Sequence, residues 1–218
     1  MAVMRSANIP DDAVLLDEME ATKHAWEFVT NWETPSDTWA LRYGPGILGG
    51  VNAVSGLIIN RHYRTKLKLG LYGFLASAIP ISIMPGVLTP LFHRYLVSTN
   101  MLLMKDGACP MCYELRSIAV QCGLGIAYPM VLGPLSGLMF AHRYGTARIP
   151  DLREGPKVVL QFVRKLTRPF TATLTFLAVA QVVASSVITY YEMKNNITLK
   201  RKVMEIEKMY EEDLARNQ

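Results

Sequence analysis

Hydrophobic residues in this chain are gathered into blocks rather than spread in amphipathic periods. Four stretches contain no Asp, Glu, Lys, Arg or His: residues 43 to 60, 69 to 92, 117 to 141 and 170 to 191. Each is long enough to cross roughly 30 Å of hydrocarbon as a helix. A bilayer core offers no water to backbone amides, and each stretch is far longer than a barrel strand. The pattern therefore predicts helices whose hydrogen bonds close internally. The expected fold is all-α: a polytopic membrane protein with a bundle of four transmembrane helices over residues 43–191, flanked by amphipathic helices. Residues 1–42 form an acidic amino-terminal segment and residues 192–218 a charged carboxy-terminal helix.

The flanks follow a different rhythm. Between residues 11 and 30, Leu15, Met19, Thr22, Trp26 and Val29 recur at a spacing of three or four, and Pro10 suits a first helical turn. Such a helix lies on the bundle or the lipid interface, or binds a partner. Thr34-Pro35-Ser36-Asp37 predicts a turn, and Trp39 and Tyr43 stand where aromatic rings anchor a span at headgroup level. In the tail, Leu199, Val203, Ile206 and Tyr210 form one apolar seam. That seam suits either coiled-coil pairing or a continuation of the fourth span packed on its own chain.

Inside the predicted spans, small and polar residues carry the information. Gly46 and Gly50 stand four apart, as do Gly133 and Gly137, and Gly56 follows on the first span. Small residues at that spacing let two helix backbones come close. Asn52, Ser55, Gln121, Gln181, Ser185 and Ser186 are the chief polar groups, all uncharged, and suit hydrogen bonds between helices. Pro80, Pro85 and Pro90 in the second span, and Pro129 and Pro134 in the third, each remove a backbone donor and bend a helix. Broken helices build binding sites in transporters. The ionisable residues that relays and coupling ions need are absent from these four stretches.

Charge enters mainly through its location. Residues 61 to 68 and 142 to 169 hold 11 Lys and Arg against 2 acids, while the rest of the chain holds 12 against 16. With four spans these two connectors share a side, which the positive-inside rule assigns to the matrix or cytosol, with both termini opposite. Membrane orientation accounts for the basic clusters without a nucleic acid. The first 42 residues carry eight acids and three basic residues, the reverse of an Arg-rich presequence, so targeting is expected to reside in the spans. The triplet Asn196-Ile197-Thr198 is a glycosylation acceptor only if lumenal.

The connector at 93 to 116 contains the apolar patch Met101 to Met104 and then Cys109-Pro110-Met111-Cys112. A C-x-x-C suits a local disulfide, a dithiol or half a zinc site. Zinc asks for four ligands, and the connector supplies no second pair; Cys122 falls in the third span. No metal or cofactor site is expected. The four histidines, at 24, 62, 93 and 142, form no Ser/His/acid, Cys/His or H-E-x-x-H arrangement by spacing, so no catalytic residues are expected either.

Tyr43-Gly-Pro-Gly ahead of Val51-Asn52-Ala53 and Gly56-Leu57-Ile58-Ile59-Asn60-Arg61, then Cys109-x-x-Cys112, Gly125-Ile-Ala-Tyr128-Pro129, Gly137-Leu138 and Ala141-His-Arg143-Tyr144, together resemble the transmembrane protein 126 family of animal mitochondria. The resemblance spans about residues 43 to 190. It implies a multi-pass protein of the mitochondrial inner membrane without enzymatic activity, a scaffold or chaperone serving assembly of respiratory complex I. The implied partners are other assembly factors and membrane-arm subunits. It also favours an unused Asn196 sequon; in an inner mitochondrial membrane the positive-inside assignment above puts the termini and residues 93–116 in the intermembrane space and the basic connectors in the matrix. The competing expectation is a small-molecule transporter or channel of an organelle membrane, built around the proline-broken spans.

Overall fold

The structure is a computed structural model that describes residues 17–103, 109–147 and 156–216. Among these residues every regular element is helical. Helix α1 is Glu18–Asn31, α2 is Trp39–Lys66, α3 is Phe74–Leu102, α4 is Pro110–Tyr144, α5 is Pro156–Thr167 and α6 is Thr171–Arg216. A 3₁₀ turn, Pro35–Asp37, stands where the proline turn was predicted, and another, Arg168–Phe170, joins α5 to α6. Pro10, Leu15 and Met104, named above, and residues 148–155 of the second basic connector lie outside the described residues.

The charge-free runs 43–60 and 117–141 lie within longer helices, and 170–191 follows the 3₁₀ turn into α6, but the span expected from residue 69 starts only at Phe74, because residues 69–73 form a glycine-containing loop. Three runs are long and apolar enough to cross a membrane: Phe74–Leu102, Pro110–Tyr144 and Lys157–Tyr210. The crossing expected at 43–60 lies within α2. Five glycines, Pro45, Asn52 and Asn60 dilute its hydropathy, so α2 falls outside that set. The expected connector at 93–116 is also much shorter. Helix α3 continues to Leu102 and α4 begins at Pro110, because His93 and Arg116 find partners within the protein and need not end a helix.

The helices continue through their prolines. Pro80 lies in a π-helical turn, Ile79–Ile83, that also precedes Pro85, and a second such turn, Gly123–Ala127, precedes Pro129. A wider turn accommodates both the missing amide proton and the clash of the proline ring with the preceding turn. A third π-helical turn, Arg94–Ser98, follows His93 directly.

The chain divides into two compact units. One comprises Met1–Pro45, Phe92–Ser117 and Ser186–Gln218; the other comprises Gly46–Leu91 and Ile118–Ser185. In the first, Val29, Leu41, Leu102 and Leu199 form a buried core, with Trp26, Phe28 and Trp32 packed against it. Val97, Met101 and Tyr113 form a second cluster. Arg42 donates to the carbonyls of Val29 (2.8 Å) and Trp32 (3.1 Å), satisfying the carboxy-terminal end of α1 with a cation, as the helix dipole favours. The predicted seam of α1 is partly displaced, since Trp26 and Val29 pack inward while Met19 is exposed. The tail continues α6 without a break. Its seam packs on its own chain through Leu199 and Val203, leaving Ile206 and Tyr210 exposed. Lys202 meets Asp37, and with Thr34 and Trp32 it holds that carboxylate well below its ordinary range, at about 2.

In the second unit, Ile59, Tyr63, Phe170 and Leu177 form one cluster, and Leu67, Leu69, Phe140 and Ala141 another. Glycine permits close approach at specific points. A Cβ on Gly49 would stand 2.4 Å from the Gly86 carbonyl oxygen, and one on Gly56 2.4 Å from that of Ile81. On α4, Gly133 and Gly137 face Tyr63 and Leu67. Gly46 and Gly50, expected at an interface, have nothing within 4 Å of a built Cβ. The buried face of α2 is turned away from them, toward Gly49, Asn52 and Gly56. Gly56→Val is therefore expected to destabilise the protein by about 2 kcal/mol or more, because backbone atoms must move. Gly46→Ala and Gly50→Ala should be neutral or gain up to about 1 kcal/mol of helix propensity. Chemical unfolding in detergent micelles checks this, and equal losses at all three positions would refute the assignment of faces.

Candidate functional site

Two buried polar constellations distinguish this helical protein. The first, in the second unit, joins α2, α3, α4 and α6 through side-chain amides and hydroxyls. Asn52 Nδ2 donates to Thr89 Oγ1 at 2.6 Å. Gln121 Nε2 donates to Gln181 Oε1 at 2.6 Å and to the Leu48 carbonyl at 3.3 Å, and Gln181 Nε2 donates to Ser55 Oγ at 2.6 Å. Amides can do this because each carries both donor and acceptor, so one residue links two neighbours. Gly125 on α4 makes the geometry possible: a Cβ there would stand 2.0 Å from Asn52 Oδ1 and 2.7 Å from Gln181 Nε2. The three amides singled out from the sequence thus belong to one region, with Gly125 as its backing surface. Asn52 Oδ1 and Gln121 Oε1 accept no hydrogen bond in this arrangement.

The second constellation, in the first unit, contains ionisable groups. His93 Nε2 lies 3.0 Å from Glu192 Oε2, Ser98 Oγ donates to Glu192 Oε1 at 3.3 Å, Ser117 Oγ is 3.4 Å from His93 Nδ1, and Thr189 Oγ1 donates to Ser117 Oγ at 2.8 Å. With the Nε2 proton directed at the carboxylate, Nδ1 is left to accept from Ser117, so the donors run in one direction from Thr189 to Glu192. His93 is 1% exposed, and Glu192 and Ser117 are 0% exposed. Gly44 brings α2 against this cluster, where a Cβ would meet Ile188 at 2.8 Å and Glu192 Oε1 at 3.2 Å.

The pair adds to what the sequence showed: immediately beyond the charge-free stretches, α3 and α6 carry buried ionisable groups, and Glu192, His93 and Ser117 stand in the order acid, imidazole, hydroxyl. Neither was visible from spacing, because His93 and Glu192 are 99 positions apart. A signal was nevertheless present. His93 ends the charge-free run 69–92, and Glu192 ends the run 170–191. What the arrangement does chemically is hold a carboxyl group in an apolar interior: an imidazole and a hydroxyl supply hydrogen bonds that water would otherwise provide.

The remaining sequence candidates fall elsewhere. Cys109 and Cys112 are brought together at the start of α4, with sulfurs 2.8 Å apart, and are not joined in a disulfide. Among the described residues no three His, Cys, Asp or Glu side chains gather as metal ligands. His62 stacks on Phe170 with ring centroids 4.1 Å apart and meets the Leu166 carbonyl at 3.1 Å. Asn196 of the sequon is buried, and its Nδ2 donates to the Met101 carbonyl at 3.1 Å, the bond that ties α6 to the end of α3. His93→Leu and Glu192→Leu should each lower stability by about 3 kcal/mol, since each strands a buried partner. The double variant H93L/E192L should lose clearly less than the sum. A double-mutant cycle by unfolding in micelles measures the coupling, and additive losses would show that the two groups do not depend on one another.

Comparison with known proteins places both constellations in a wider context. The family model described as Transmembrane protein 126 matches residues 26–205, a segment that contains every residue of the two clusters. Transmembrane protein 126 of Drosophila melanogaster is 40% identical over 215 residues, 98% of this chain and 96% of that protein. Transmembrane protein 126A of Mus musculus is 32% identical over 117 residues, 53% of this chain and 58% of that protein. No solved structure matches. With the family model and the fly protein both extending over nearly all the helical segments, this multi-pass membrane protein belongs to the transmembrane protein 126 family.

Proposed function

We propose that this protein is a non-enzymatic scaffold of the mitochondrial inner membrane that assists assembly of the membrane arm of respiratory complex I, acting with other assembly factors. Family membership carries the reading, because it extends the resemblance on which that role rests to residues 26–205. The distribution of polar and apolar groups supports it. Within each unit, amides and ionisable groups of the helices are turned on one another, which stiffens that unit. Apolar ridges face outward: on α4, Val131, Leu135 and Met139 stand four residues apart, and all are exposed. Such a ridge packs equally well against lipid or against a transmembrane helix whose own neighbours have not yet arrived, so the bundle shields unfinished subunits and releases them as those neighbours bind. In this reading the basic segments 61–68 and 142–169 lie in the matrix, with the termini and Cys109 to Cys112 in the intermembrane space.

A second reading, a small-molecule transporter, draws on one observation: an acid–imidazole pair beside the π-helical turn Arg94–Ser98. Affinity purification of the tagged protein in mild detergent should recover complex I membrane-arm subunits and assembly factors, and cells lacking the protein should show less assembled complex I on native gels. Recovery of neither, together with normal complex I, would refute the scaffold. Specific flux into proteoliposomes that His93→Leu abolishes would favour the transporter instead. In mitochondria with ruptured outer membranes, a membrane-impermeant thiol reagent should label Cys109 and Cys112. Protection until the inner membrane is opened would reverse the orientation.

A further inference from the structure

Between the end of α2 and the start of α3 the chain makes a tight loop around one arginine. Lys68, Gly70 and Gly73 all have positive φ, at 53°, 52° and 60°, and Lys68 is the non-glycine residue among them. These turns aim carbonyls inward. Arg64 Nη2 donates to Gly70 O and Tyr72 O, both at 2.8 Å, and Nη1 donates to Gly73 O at 3.3 Å and Ser77 Oγ at 2.9 Å. Its guanidinium also lies 5.3 Å from the Phe74 ring centroid. Carbonyl oxygens satisfy the donors of Arg64 but leave its positive charge unneutralised.

Beside this loop is a cavity of about 630 Å³. Arg61, Arg64 and Lys68 give it three cations, and Leu57, Leu71 and Phe74 give it an apolar wall. No carboxylate lines it, and none of the three cations has an ion-pair partner among the described residues. Positions 57, 61 and 64 follow a spacing of four and three and so share one face of α2, and the turn at Lys68, just past the end of the helix, brings that side chain to the same cavity. Leu71, at the tip of the loop, is 88% exposed. Phe74 opens α3, one of the helices long and apolar enough to cross a membrane, so the apolar wall of the cavity runs into a candidate span.

We propose that this groove binds an anionic phospholipid, with its phosphate between Arg61 and Lys68 in the field of Arg64 and an acyl chain along Leu57, Leu71 and Phe74. Charge complementarity selects the headgroup, because three cations without an acid attract a phosphodiester. The apolar wall selects a lipid over a free anion. Arg64 positions the loop, while Arg61 and Lys68 are exposed and available to the ligand.

The test uses the full chain in detergent, titrated with phosphatidylglycerol, phosphatidylcholine or inorganic phosphate and followed by native mass spectrometry. Phosphatidylglycerol should be retained in preference to phosphatidylcholine, and millimolar inorganic phosphate should not displace it. The variant R61Q/K68Q should weaken phosphatidylglycerol binding roughly thirtyfold, the loss expected for two cations near an anionic headgroup. R164Q/K165Q, which removes two exposed cations of α5, should leave it unchanged. Retention of wild-type affinity by R61Q/K68Q with an unaltered circular dichroism spectrum would overturn the proposal. So would an equal loss in R164Q/K165Q, which marks general surface attraction, or displacement by inorganic phosphate, which marks a free-anion site.

Discussion

Polar groups within apolar surroundings must find partners inside the protein, and the arrangement of these helices follows from that requirement. Each uncompensated amide or carboxylate in hydrocarbon costs several kcal/mol, whereas a hydrogen bond between helices contributes only about one. The penalty for a wrong arrangement thus exceeds the reward for any single contact. Asn52, Gln121 and Gln181 are placed where each has a donor satisfied by another helix, and Gly125 is placed where a side chain would break the set. Apolar side chains tolerate many helix rotations; these amides tolerate few.

Close backbone approach is the complementary condition. Short side chains such as Asn and Thr span an interface only if the helix axes are near. Gly49, Gly56 and Gly86 bring α2 and α3 together, and Gly133 and Gly137 leave room on α4 for Tyr63 and Leu67. The π-helical turns serve the same end. They absorb the prolines while letting α3 and α4 continue past them, so the residues beyond each proline still reach their partners.

Two ionisable side chains, Glu192 and Arg64, are buried by contrasting means. Glu192 is held by an imidazole and a hydroxyl, an arrangement in which hydrogen bonds and opposite polarity act together. Arg64 is surrounded by carbonyl oxygens, which satisfy its donors and leave its charge in place. The first is self-contained and strengthens the fold. The second leaves a residual field, and that difference is why a groove beside Arg64 attracts an anion while the Glu192 cluster, closed on itself, serves architecture.

Local properties of the sequence were enough to establish the all-helical fold, the long apolar runs and the identity of the amides that meet between helices. Composition and hydropathy act residue by residue, and a polar side chain within an apolar run has no favourable environment except another helix. Which side of each helix faces inward was decided only in three dimensions. Gly46 and Gly50 carry the familiar spacing, yet Gly49 and Gly56 make the contacts, because rotation of α2 is set by Asn52 and Ser55 finding partners on other helices. His93 and Glu192 were visible as the residues ending two charge-free runs, but not as a pair. Their meeting depends on where α3 and α6 come to lie, and no local period in a chain reports the distance between residues 99 positions apart.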